Sequence, residues 1–91
     1  MPDTFTYDER ILDELRGHGL SPLPTTPPQR VRDALSDLYR YEIRRLRSEL
    51  LAGRIVKRDY APRVIELRQR YWLLSVPTAL WTKDDTFHAG L

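Results

Sequence analysis

Between Gln29 and Leu51 the chain contains neither Gly nor Pro, and its apolar residues recur every three or four positions. Val31, Leu35, Leu38, Tyr39, Ile43, Leu46 and Leu50 fall on one side of a 3.6-residue helix, a spacing held for about six turns that no strand reproduces. The same periodicity puts Tyr7, Ile11 and Leu15 on one face of a shorter helix, with Leu12 beside it. A third stripe comprises Tyr60, Val64, Leu67, Tyr71 and Leu74, flanked by Ala61, Ile65 and Trp72.

Helix ends are also written into the chain. Thr6-Tyr7-Asp8-Glu9 and Thr26-Pro27-Pro28-Gln29 fit capping boxes, in which a Thr hydroxyl and a Glu or Gln side chain satisfy orphan amides. Pro27 suits the first helical position, where its missing N–H costs nothing. Gly17 and Gly19 end the first helix, Gly53 the second and Pro77 the third. Pro62 is tolerated provided that the third helix begins near Asp59.

The expected fold is therefore all-α, in a single domain 1–91. A long antiparallel hairpin (28–52 and 58–74) has a short N-terminal helix (6–16) and a proline-rich connector (18–28) packed on it, a three-helix arrangement followed by a C-terminal tail (76–91). The link Arg54-Ile55-Val56 is short enough to require antiparallel neighbours. Four prolines make the connector a stiff strap, tacked down by Leu20 and Leu23. Phe5 packs ahead of the first helix, Trp81 anchors the tail, and Asp84 to Leu91 fray.

At 41% hydrophobic and 31% charged residues, the chain is too apolar for intrinsic disorder. No cysteine means no disulfide, thiolate metal site or cysteine nucleophile. Met1-Pro2-Asp3-Thr4 lacks the basic and apolar regions of a signal peptide, and no run approaches a membrane span; a soluble cytoplasmic protein is expected, with no membrane contact. The net charge of +2 hides an asymmetry. Residues 1–29 hold two Arg against five acids, whereas residues 30–74 hold eleven Arg and Lys57 against six. Such a split marks either a polyanion-binding face or an acidic helix lying on basic ones.

Three groups are candidates for chemistry or recognition. Glu42 falls in the middle of an apolar stripe with Arg45 and Glu49 along the helix, a candidate buried charge cluster able to recruit Arg63 or Arg68 and a small anion. A purely structural bond, from Arg45 or a tyrosine hydroxyl, is the simpler reading. Arg40, Arg44, Arg47, Arg54, Lys57 and Arg58 form a candidate polyanion-binding surface, against the plainer reading of a solvated face with Asp37 paired to Arg40 or Arg44. Tyr41, Trp72 and Trp81 lie at or beyond the stripe edges beside arginines, the composition of a protein-binding hot spot.

His18 and His88 stand apart in loops, so no metal and no cofactor are expected, and no serine lies in a nucleophile motif. Leu38-Tyr39-Arg40 spells the tripeptide that labels the small helical LYR-motif proteins, without their downstream Arg and Phe pattern. Small all-helical chorismate mutases share the length and the Arg-rich helices but begin with their longest helix. Neither likeness carries a residue over. The leading expectation is a non-enzymatic interaction or accessory protein that acts through its hairpin surface, as a homodimer or with another protein. A basic nucleic-acid-binding module is the alternative, and a small enzyme or ligand binder around Glu42 a second.

Overall fold

The computed structural model describes residues 4–83. They are mainly helical: β1 (Thr6–Tyr7), α1 (Glu9–Gly17), α2 (Pro28–Leu51), α3 (Lys57–Arg70), two 3₁₀ segments (Trp72–Ser75 and Thr78–Leu80) and β2 (Thr82–Lys83). The chain divides into two compact units. One joins the described residues up to Leu35 with those from Leu73 onward; the other is Ser36–Trp72. The proposed fraying of Asp84 to Leu91 falls outside the described residues.

In the first unit the strands form an antiparallel pair, Thr6 opposite Lys83 and Tyr7 opposite Thr82. The Asp8 amide extends the ladder to the Trp81 carbonyl at 2.9 Å. This pairing corrects the expected start of the first helix. Thr6 lies in the ladder, so the capping box does not form; Asp8 is the N-cap instead and accepts from the Arg10 amide at 2.9 Å, a bond typically worth about 1 kcal/mol. The helix also passes through Gly17 and turns off at Gly19, whose φ is +81°.

The core of this unit is Tyr7, Ile11, Leu15, Val31, Leu35, Leu73 and Trp81. Trp81 is fully buried and donates its indole N–H to the Val76 carbonyl at 3.0 Å, so the tail is anchored where its aromatic residue suggested. The strap is held at several points. The Phe5 amide donates to the Pro24 carbonyl at 2.7 Å, the Tyr7 hydroxyl donates to the Thr26 carbonyl, and the Leu23 amide donates to the Thr26 hydroxyl at 3.0 Å. With its oxygen engaged by Leu23, Thr26 does not cap α2 through a reciprocal box, and the Gln29 amide turns to Asp33 at 3.0 Å. Pro28 is the first helical residue, after Pro27. Leu20 is half-buried as expected, but Leu23 is exposed and tacks nothing. Arg32 reaches from α2 to the Leu74 carbonyl at 2.8 Å, which ties the chain's return segment down.

In the second unit α2 continues to Leu51 and stops on Gly53, at φ +77°. The Arg54 amide donates to the Glu49 carbonyl at 2.9 Å and the Gly53 amide to Leu50 at 3.1 Å, the paired bonds of a Schellman turn. An ion pair between the Arg54 and Glu49 side chains occupies the place where an apolar contact usually accompanies that turn.

The third helix starts within a residue of its expected position, but too far before Asp59 to keep Pro62 in its first turn, and it ends early. It begins at Lys57, which leaves Pro62 inside it at the sixth position instead of in the first turn. Without a proline N–H, the Arg58 carbonyl has no i+4 donor. It ends at Arg70, and Trp72–Ser75 winds as a 3₁₀ turn. Tighter winding rotates the following side chains, so Leu73 is fully buried while Leu74, assigned to the stripe by α-helical spacing, is half-buried. Beside α2, Leu67 of α3 and Tyr71 at its C-cap are buried. Tyr71 lies against Tyr39, ring centroids 5.4 Å apart and tilted by 58°, a geometry worth about 0.5–1.5 kcal/mol beyond area burial.

Candidate functional site

Glu42 is half-buried on α2, and each oxygen of its carboxylate has a partner at the C-terminal end of α3. The Tyr71 hydroxyl donates to one oxygen, and Arg70 approaches the other at 3.5 Å. The tyrosine bond is the structural role the sequence allowed for; the cationic partner is Arg70, not Arg45, Arg63 or Arg68. Burial pushes the Tyr71 phenol up to about 12, and the Glu42 bond and charge add to the effect while Arg70 opposes it. A phenolate there would form in a desolvated position beside an existing carboxylate. Tyr71 therefore acts as a donor and stays protonated.

A cleft of about 340 Å³ opens within this unit. Glu42, Arg45, Leu46 and Glu49 line it from α2, with Arg54 and Ile55 from the bend and Arg63 from α3. The expected grouping of Glu42, Arg45 and Glu49 lines one space, but it is not the buried cluster expected: the two acids are half-buried and Arg45 is exposed, because α2 lies at the surface here. The two carboxylates are already paired, Glu42 as above and Glu49 with Arg54. Arg45 and Arg63 have no carboxylate partner among the described residues and are exposed.

The six basic residues expected on the outer surface, Arg40, Arg44, Arg47, Arg54, Lys57 and Arg58, are all exposed. Two have local counter-charges: Arg40 pairs with Asp37 at 3.8 Å, and Arg54 with Glu49. Of the three aromatics assigned to a partner surface, Tyr41 is 62% and Trp72 43% exposed, whereas Trp81 has no exposure at all. Trp81 is therefore corrected from a surface residue to a core residue: the strand pairing of its neighbours turns the indole inward. Sequence reasoning missed the surface apolar residues Leu51 and Val56 at the bend, 82% and 53% exposed, and placed Ile65 only beside a stripe, where it is 54% exposed. Leu51 and Val56 lie off the stripes at the bend and Ile65 beside one, and helical spacing does not tell whether a single partner helix reaches such positions.

In the first unit, His18 is nearly covered and lies 3.3 Å from the Glu14 carboxylate, as i and i+4 neighbours at the end of α1. His88 falls outside the described residues. Among the described residues no helix is long and apolar enough to cross a membrane. The chain matches no protein-family model, no curated protein and no solved structure among those compared.

Proposed function

We propose that this is a non-enzymatic interaction protein whose antiparallel helical hairpin associates with a second copy of itself. The observation that carries the reading is the incomplete cover of the second unit. Beyond Leu35 no residue of α2 is buried: Leu38, Ile43, Leu46 and Leu50 are each only half-covered. Around them Tyr41, Leu51, Val56, Ile65 and Trp72 remain exposed. A two-helix unit cannot surround its own seam, and association is the ordinary way for so small a core to remove such residues from water. The surface charge of α3 is mixed but not balanced: Asp59 and Glu66 stand among Lys57, Arg58, Arg63, Arg68 and Arg70, so the apolar contact has to outweigh a residual repulsion between copies.

Sedimentation equilibrium from about 1 to about 100 µM tests this, with a monomer–dimer transition expected inside that range. Ile65→Asp is expected to weaken the dimer by about tenfold or more while leaving the helical circular dichroism intact. A monomer at every concentration overturns the proposal.

A second reading rests on Arg44, Arg47, Lys57 and Arg58, exposed and without a carboxylate partner among the described residues. Four phosphates neutralised by these cations would give a log–log salt slope of about −3.6 in duplex binding. Fluorescence anisotropy with duplex and single-stranded probes separates the readings, because association through apolar residues responds only weakly to salt.

A further inference from the structure

The cleft in the second unit has a charge pattern that its own residues leave incomplete. Glu42 is held by Tyr71 and Arg70, and Glu49 by Arg54. With both carboxylates used, Arg45 from α2 and Arg63 from α3 contribute two guanidinium groups to one space, with no counter-charge among the described residues. Like charges sharing a cleft repel, and an oxyanion between them reverses the sign of that interaction.

We propose that this cleft is an anion-binding site that takes the phosphoryl group of a small phosphate ester, with Arg45 and Arg63 as its ligands. The choice of anion follows from the donors. A carboxylate has two oxygens and is satisfied by one guanidinium fork, whereas a phosphoryl group offers three terminal oxygens and close to two charges, enough for two forks. Leu46 and Ile55 in the same lining supply apolar contact for the body of the ester. The paired carboxylates have a further effect. Arg54 and Arg70 cancel the two acids that would otherwise repel an incoming anion, so the local field remains positive. This inference is independent of self-association, since every group it uses belongs to one chain.

The test is titration of the full chain with inorganic phosphate at constant ionic strength, followed by the Arg side-chain Nε–H resonances. Saturable shifts at Arg45 and Arg63, with half-saturation at about 1 mM or below, are expected. Arg45→Gln and Arg63→Gln should each weaken binding by about tenfold or more, while Arg44→Gln, on the outer face, should change it by less than about twofold. Acetate, which presents a single carboxylate, should bind at least about tenfold more weakly than phosphate. The proposal is overturned by an absence of saturable shifts up to about 10 mM phosphate, by equal weakening from Arg44→Gln, or by a preference for acetate. Because the wild-type resonances carry the first readout, a variant that failed to fold would still leave the proposal exposed to refutation.

Discussion

A single hydroxyl, that of Tyr71, joins α3 to α2 and makes the second unit sensitive to alkali. Its donation to Glu42 requires the proton, and burial with the neighbouring carboxylate pushes the phenol up to about 12 from an ordinary value of 10. The folded state therefore holds this proton more tightly than the unfolded chain does. The stabilisation is present in full below pH 10, declines as pH rises, and is gone above about pH 12. Its size is roughly 2–3 kcal/mol. Tyr7, whose phenol burial also raises, acts in the same direction. Tyr71→Phe should cost about 1 kcal/mol at neutral pH through the lost bond; because only the wild type then loses roughly 2–3 kcal/mol on ionising, the gap should vanish at about pH 11 and reverse by about pH 12. Urea denaturation across pH 8–12 checks this, and a constant gap would show that the Tyr71 proton is not linked to folding. Only half of this contact could be read beforehand. The position of Glu42 in an apolar stripe follows from helical spacing, but the side chain facing it depends on the register between two helices. The facing residues also depend on where α3 stops, which is Arg70 and not the expected Leu74.

Gly17 and Gly19 show the same limit at the scale of one element. Both stand at the end of the α1 pattern, and spacing alone does not distinguish a last helical residue from a stop. The backbone does: Gly19 lies at φ +81° and carries the turn, while Gly17 is an ordinary helical residue. A Cβ at either position meets nothing within 4 Å, so only backbone conformation separates the two substitutions. Gly17→Ala should stabilise by about 0.5–1 kcal/mol through a less mobile unfolded chain, whereas Gly19→Ala should destabilise by about 1–2 kcal/mol through left-handed strain. Thermal denaturation of both variants decides, and shifts of the same sign would refute the assignment of the stop. Three helices could be recognised because each maintains a stripe over several turns. The β1–β2 pair could not, because two residues per strand carry no period and the partners lie at opposite ends of the described chain. That missed pairing also misplaced Thr6 as a cap and Trp81 as a surface residue.

Across the whole molecule, burial is unequal. The four fully buried large side chains, Leu15, Leu35, Leu73 and Trp81, all belong to the first unit. The second unit buries Leu67 and Tyr71, each at 5% exposure, and nothing on its stretch of α2. Helical hydrogen bonds alone do not maintain such a stretch; apolar cover sets the cost of opening it. Pro62 weakens it further, because an interior proline removes one bond from α3. Opening should therefore be local and should begin around the bend at Gly53. In native-state amide exchange at low protein concentration, Ile43–Leu51 and Arg63–Leu67 should exchange at least about tenfold faster than Leu12–Leu15 and Val31–Leu35. Raising the concentration into the range where copies associate should slow the first pair of segments and leave the second pair unchanged, since mass action protects only what the contact covers. Uniform protection at every concentration would mean that the hairpin needs no cover, and the case for self-association would fall with it.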